Sequence, residues 1–367
     1  MRLIVQPGEG ALPLIKAIGA AKSRVEIVIF RFDQKDIERA LGNAVGRGVA
    51  VQALIASKNR AGEENLRELE LRLLAAGVTV SRTADDLIRY HSKLMIIDRR
   101  ELHLLAFNLT HIDMERSRSF ALITRKPDVV REAVKLFEAD TKRTPYEATL
   151  PGFVVSPVNA RKELAAFIAG AKKSLAIYDP QVSDRAMIRI LAERAKAGVE
   201  VRVLGRMIGR ASGVSVKKLA NMRLHTRTIV RDGRMAFLGS QSLREMELDA
   251  RREVGLIFRE PKAVSGLLRT FEADWLEAAK AEKEEVESVD PGMRIAKKVA
   301  KAVAREMPEV GPLVNGAMRE IVGEIAEMDL IPEEVDEMVK GAVKEAVREV
   351  VKNAVEQAVE KSAGGEG

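Results

Sequence analysis

Apolar positions along this chain switch between two periods, and the whole succession occurs twice. From Ala11 to Ser23 they recur at helical spacing. Val25-Glu26-Ile27-Val28-Ile29-Phe30 then reads as a strand. Helical spacing returns with Ile37, Leu41 and Val45 and stops at Gly46-Arg47-Gly48, and Val49 to Ile55 is again an apolar strand. Strand, helix and strand in this order predict a parallel, right-handed β-α-β unit. The second succession runs Ser174 to Tyr178 as strand, Asp184 to Ala197 as helix, Gly198 as its stop, and Val199 to Leu204 as strand. One element has no counterpart: a charged helix near Glu63 to Ala76, where the later stretch is shorter.

Two further segments read as strand-turn-strand. Leu94-Met95-Ile96-Ile97 is apolar at every position, as a strand buried on both faces is, and Asp98-Arg99-Arg100-Glu101 turns it into Leu102-His103-Leu104-Leu105. Ile229-Val230 leads through Arg231 to Asp232-Gly233, a hairpin turn signal, and on to Met235 to Leu238. His91 and His225 are expected to begin these strands. Residues i and i+2 of a strand share a face, so His91 and Lys93 should point together, as should His225 and Arg227.

The two segments share a register. His91-Ser92-Lys93 with Asp98 reads H-x-K-x4-D, and His225-Thr226-Arg227 with Asp232 reads H-x-R-x4-D. The offset of 134 residues also carries Asn108 to Ser242, Phe137 to Phe271 and Asp140 to Asp274, the last two pairs within a repeated Phe-Glu-Ala-Asp. The chain is an internal duplication, and each copy has one histidine beside one cation.

On these motifs the sequence resembles the phospholipase D superfamily over roughly residues 1–275. The polar segments Leu105-Ala106-Phe107-Asn108 and Gly239-Ser240-Gln241-Ser242 belong to the resemblance, as does Arg252-Glu253. The resemblance implies an α/β fold: duplicated phospholipase D-like β-sheet cores flanked by helices, followed by a C-terminal α-helical region. The divisions expected are residues 1–145, 146–275 and 276–367. It also implies that both motifs build one active site across a pseudo-twofold axis.

The chemistry these residues allow is two-step cleavage of a phosphodiester. One imidazole attacks phosphorus, and a second protonates the leaving oxygen and then activates water. Lys93 and Arg227, with Asn108, Ser240 and Ser242, would hold the phosphate oxygens. No metal or other cofactor is implied. Asp98 and Asp232 are read as structural turn residues. His103, on an apolar strand, is expected to pack or to lie on the surface.

Two departures from the family pattern stand out. Arg227 replaces a lysine, keeping the charge in a planar fork. Twenty-eight residues past each histidine, where the family has a carboxylate that orients a motif histidine, the chain has Ser119 and Glu253. The expectation is that Glu253 orients His225 and favours its charged form, leaving His91 with weaker support. That asymmetry suits His91 as nucleophile and His225 as acid, and it equally suits a site that has lost activity.

Charge bears on the substrate. The chain carries +7, yet residues 276–367 hold 13 Lys/Arg against 21 Asp/Glu, so a body near +15 precedes a tail near −8. A basic body attracts polyanions, nucleic acid first and an anionic lipid surface second. Cysteine is absent, the N-terminus has no signal-peptide anatomy, and no apolar run approaches the ~20 residues of a membrane span, so the expected location is cytoplasmic. The leading expectation is a metal-independent nuclease. The alternatives are a lipid-acting hydrolase or transferase, and an inactive nucleic-acid-binding or scaffold module. The tail is expected to start near Glu272 as long amphipathic helices broken at Pro291-Gly292, Pro308, Pro312 and Pro332. Their valine stripe from Val335 to Val359 suits contact between chains of a homo-oligomer.

Overall fold

The computed structural model describes residues 1–57, 63–209 and 211–288. Compact unit Met1–Ala281 contains both copies of the duplication. The first copy runs β1 (Arg2–Gln6), α1 (Leu12–Ala20), β2 (Arg24–Ile29), α2 (Lys35–Gly46), β3 (Ala50–Ile55), α3 (Glu63–Ala75), β4 (Thr79–Arg82), β5 (Arg89–Tyr90), β6 (Leu94–Ile97), β7 (Glu101–Leu105), α4 (His111–Glu115), β8 (Ser117–Thr124) and α5 (Pro127–Lys142). The second runs β9 (Phe153–Ser156), α6 (Ala160–Ala169), β10 (Ser174–Val182), α7 (Arg185–Lys196), β11 (Glu200–Met207), β12 (Val214–Lys217), β13 (Arg223–Leu224), β14 (Arg227–Arg231), β15 (Met235–Gly239), α8 (Glu245–Asp249), β16 (Arg251–Phe258) and α9 (Pro261–Ser288). Apart from α3, every element of one copy has its counterpart in the other.

The sheets have one topology. The first is ordered β1-β8-β7-β6-β2-β3-β4, and the second contains β9 against β16 and then β15-β14-β10-β11-β12. In each, the β-α-β strands pair in parallel and the motif hairpin is antiparallel. Side chains alternate between two apolar layers, as strand geometry requires. Ile27 and Ile29 of β2 face α1, α2 and α3, while Val28 joins Leu94, Ile96, Tyr178, Val230, Leu238, Phe137 and Phe271 in a core drawn from both copies. Leu175, Ile177 and Ile229 close the outer layer of the second copy beneath α6 and α7. One shared core between the sheets is what makes the duplication a single body.

The two copies also exchange strands. β5, which leads into His91, pairs in parallel with Arg251 and Arg252 of the second copy. β13, which leads into His225, pairs in parallel with Ser117 and Arg118 of the first. Both exchanges obey the 134-residue offset. The motif histidines therefore do not begin strands, as the pattern predicts. His91, Ser92 and Lys93 lie between β5 and β6, where the chain leaves one sheet and enters the other, and β14 begins only at Arg227. The main-chain N–H of His91 donates to Arg252 O at 2.7 Å, and that of His225 to Arg118 O at 3.1 Å. A crossing of this kind needs its peptide groups satisfied by the partner sheet, which hydrophobic periodicity does not report.

The repeated Phe-Glu-Ala-Asp lies in α5 and α9, and its aspartate is an inter-copy clamp. Asp274 receives a bidentate bond from Arg118 (2.7 and 2.9 Å) and another from the Tyr178 hydroxyl. Asp140 pairs with Arg252 at 3.1 Å. Phe271 and Trp275 stack, with the Arg202 guanidinium against both rings. The closing helix begins at Pro261, earlier than the change of pattern near Glu272 suggests, because Phe271, Asp274 and Ala278 are on one buried face of it. The expected helices and chain-to-chain contacts of residues 289–367 lie outside the described residues.

Candidate active site

The exchange of strands brings the two motifs together. His91, Lys93 and His225 are buried, as are the second copy's Glu247, Arg251 and Glu253. The charge on Lys93 is felt alongside those of Glu253, Arg227, Asp113 and Glu247, and His91 bears on His225, so the residues form one electrostatic cluster.

Asp98 and Asp232 stand apart from it. Each has positive φ, near 52°, in the tight hairpin turn. The carboxylate of Asp98 accepts from the main-chain N–H groups of Lys22, Ser23 and Arg24, and Asp232 accepts from those of Lys172, Lys173 and Ser174. These bonds depress the Asp98 carboxyl to about 2. The motif aspartates thus tie the hairpin to the loop before β2 or β10.

The histidines are supported crosswise. Both carboxylate oxygens of Glu253 lie 2.9–3.0 Å from His91 Nδ1. The expectation that Glu253 orients His225 is therefore corrected: β16 belongs to the second copy, and strand exchange delivers His91 to it. His225 Nδ1 lies 3.2 Å from Asp113 Oδ2 of the first copy, off the hydrogen-bonding line. Asp113 sits in α4 behind its Thr110 cap, accepts from both the main-chain N–H (2.9 Å) and the side-chain amide (2.7 Å) of Asn108, and pairs with Arg223. Its counterpart Glu247, in α8, accepts from the Ser242 main-chain N–H at 2.7 Å but turns to Arg251 (3.4 Å), Arg244 (3.6 Å) and Arg227 (3.8 Å).

The cations are held alike at one end and differently at the other. Lys93 Nζ donates to His91 O at 2.6 Å, and Arg227 Nη1 to His225 O at 2.7 Å. Arg227 Nε also donates to Ser242 Oγ. Lys93 instead lies 5.3 Å from the centre of the Phe30 ring, which packs edge-to-face with the His91 ring, their centres 4.6 Å apart. Burial pushes the Lys93 ammonium down to about 7; Glu253 opposes that fall and Arg227 adds to it. Burial also drives both histidines well below their ordinary value, aided by Lys93 and Arg227 at His91 and by Arg227, Arg223 and Lys93 at His225. Both imidazoles are neutral at pH 7. A neutral His91 that gives its Nδ1–H to Glu253 keeps its lone pair on Nε2.

Of the other expected phosphate ligands, Asn108 commits its amide group to Asp113, and Ser240 accepts from the Val254 N–H, with its one hydroxyl hydrogen within reach of Glu253 and of Val254 O. Ser242 receives Arg227 and keeps its own hydroxyl hydrogen. His103 is buried against Glu101, and His111 is exposed beside Glu115. Sequence reasoning missed Asp113, Glu247, Arg223 and Asp179. The 134-residue offset links Asp113 to Glu247 and was a usable signal. Asp179 was not visible that way: it occupies the position of Ile29, is buried, accepts from the Leu243 N–H at 2.7 Å, and is raised to about 6 by burial. A cleft of about 1270 Å³ opens beside Asn108, Asp113 and Arg223 and runs between α2 and α3. Among the described residues, no three His, Asp or Glu side chains gather as metal ligands, and no helix is long and apolar enough to cross a membrane.

Residues 14–141 and 164–275 match the family described as "Cardiolipin synthase, PLD-like domain". Among solved structures, the chain is similar to the polyphosphate kinase of Porphyromonas gingivalis, with 19% identity and a TM-score of 0.63. That match covers 75% of this chain and 50% of the kinase, so the chain spans half the kinase's length. It is similar to the phosphatidylserine synthase of Haemophilus influenzae Rd KW20, with 10% identity and a TM-score of 0.56 over 75% of this chain and 86% of that one. Nuc, a phospholipase D family member from Salmonella typhimurium, matches at 21% identity and a TM-score of 0.36, over 40% of this chain and 97% of its own. No curated protein matches the sequence. The first two likenesses show a shared fold.

Proposed function

Because the chain belongs to the phospholipase D superfamily, we propose that it is a metal-independent phosphodiesterase, and that its substrate is a nucleic acid. The observation that carries the chemistry is the crosswise support: two buried, neutral imidazoles, each facing a carboxylate of the other copy, in one electrostatic cluster with Lys93 and Arg227. His91 is the nucleophile. Glu253 accepts its Nδ1–H and strengthens Nε2 as the phosphate meets it. His225 is the general acid. The incoming phosphate charge offsets the cations that keep His225 neutral, and the imidazole then takes up a proton.

In the first step the His91 Nε2–P bond forms, the P–O bond to the leaving group breaks, and that oxygen takes the His225 proton. In the second, water attacks phosphorus, gives its proton to His225, and the N–P bond breaks. Lys93, Arg227 and the Ser242 hydroxyl stabilise the equatorial oxygens. Glu253 thus keeps a place in the catalytic set with a different partner, and the loss of a carboxylate at Ser119 does not leave His91 unsupported.

The polymer is inferred from charge. The +15 body favours a long polyanion, whose binding weakens steeply with salt. A second reading, a lipid phosphodiester, is favoured by Ile88 and Ile112, 57% and 51% exposed, just outside β5 and beside Asp113. The test is to incubate the purified protein in EDTA with labelled single- and double-stranded DNA and RNA, and separately with anionic vesicles. Cleavage of nucleic acid that His91→Ala abolishes is expected. Turnover that vanishes with chelator and returns with Mg²⁺ would refute the metal-independent mechanism. Tight, salt-sensitive binding without turnover would leave a nucleic-acid-binding module.

A further inference from the structure

The offset of 134 residues sets a puzzle at the second histidine. Glu253, which serves His91, has Ser119 as its counterpart. Ser119 is fully buried on β8, and its hydroxyl has no hydrogen-bond partner. A hydroxyl supplies no charge. Strict symmetry would therefore leave His225 without an anionic partner, in a site where Arg227, Arg223 and Lys93 all raise the local potential.

Six residues earlier the chain supplies a carboxylate from another element. Asp113 is 1% exposed and comes within 3.2 Å of His225 Nδ1. Its placement is fixed by groups with little other use: the Thr110 cap, both donors of Asn108, and Arg223, which the exchanged β13 brings across. The counterpart, Glu247, holds its own loop through Ser242 in the same way and then faces three arginines, Arg227 among them. The same position therefore does two jobs. The shorter acid meets a histidine. The longer acid meets the arginine that stands in for a lysine.

We propose that Asp113 is the positioning residue of His225, taking over from the helix α4 the part that position 119 no longer plays. This rests on the assignment of His225 as general acid but is separable from it. Asp113 fixes the His225 tautomer with hydrogen on Nδ1, leaving Nε2 to carry the transferred proton. Because Arg223 and Asn108 share its carboxylate, it supports His225 less strongly than Glu253 supports His91. That inequality divides the pair into nucleophile and acid.

The chain has four histidines, so imidazole nitrogen NMR resolves each of them. In the full-length protein, His225 is expected to be the Nδ1–H tautomer. Asp113→Asn, which keeps acceptors for Asn108, should move the His225 titration about one pH unit lower, as loss of a neighbouring opposite charge does. It should also lower turnover about a hundredfold, with the His103 and His111 signals unchanged as a check on folding. Ser119→Asp added to Asp113→Asn should restore part of both effects, and Glu253→Gln should move His91 rather than His225. An unchanged His225 tautomer and titration in folded Asp113→Asn would overturn the proposal, whatever the activity. A shifted His225 in a protein that turns over no phosphodiester would uphold it and remove the phosphodiesterase reading instead.

Discussion

Lys93 is the residue on which the site's pH behaviour turns. Its ammonium is buried beside the Phe30 ring and titrates at about 7, while Arg227, the other motif cation, is engaged by Glu247 and Ser242. Below pH 7 Lys93 is charged and can meet a phosphate. As pH rises through 7 it loses that charge, so kcat/KM should fall on the alkaline side. Lys93→Arg should shift the limb upward by more than about one pH unit, because a guanidinium stays protonated. Lys93→Ala should lower turnover about a hundredfold at neutral pH, the scale of losing one positioned charge from a transition state. Arg227→Lys keeps the charge and should cost much less. Equal losses at the two positions in steady-state assays would show that Arg227 carries the phosphate as fully as Lys93.

At the scale of elements, the short strands β5 and β13 and the helices α5 and α9 hold the copies in register. Each short strand pairs with the sheet of the other copy, and each helix delivers an aspartate to an arginine of the other copy. Removing one partner of a buried pair costs about 3–5 kcal/mol. Asp274→Asn, which strands Arg118, should therefore cost stability on that scale in urea unfolding. Asp140 differs, because burial raises its carboxyl to about 6 despite Arg252. A carboxyl raised in the folded state favours folding in its protonated form, and that contribution is lost as pH rises through 6. Asp140→Asn, which does not titrate, should therefore cost less at pH 8, where the wild-type chain has lost that contribution, than at pH 5, where it still holds part of it. The same midpoint shift at both pH values would contradict this.

For the whole molecule, the question is where the folded body ends. Trp275 closes the repeat in sequence, yet Ala278 is buried in the shared core and the compact unit reaches Ala281. A chain ending at Ser288 should unfold cooperatively, whereas one ending at Trp275 loses the buried Ala278 turn and should be less stable. We propose that the acidic tail regulates or assembles this body. Residues 289–367 hold 11 Lys/Arg against 16 Asp/Glu and leave residues 1–288 near +12, so the chain ending at Ser288 should bind nucleic acid at least as tightly as the full chain at low salt. Weaker binding by a folded 1–288 chain, measured by fluorescence anisotropy across a salt series, would mean that the tail contributes to the binding surface.

Local pattern alone determined a good deal of this protein. The β-α-β units, the unmatched helix α3 and the two motif hairpins follow from hydrophobic period and turn residues, which act within a few residues of chain. The 134-residue register revealed the duplication and pointed to His91, Lys93, His225 and Arg227, because a copied segment keeps its spacing. Only the tertiary structure decided which partner each of these residues meets. Glu253 belongs by sequence to the copy of His225, yet it meets His91, because β5 crosses into the other sheet before the motif begins. Asp113 looks like an ordinary first-turn acid of a short helix until β13 brings His225 and Arg223 to it. The Phe-Glu-Ala-Asp repeat looks like a helix fragment until its aspartate meets an arginine 156 residues away in sequence. Spacing along a chain fixes local conformation, whereas charge pairing depends on distance through space, and here a strand exchange between the two copies sets that distance.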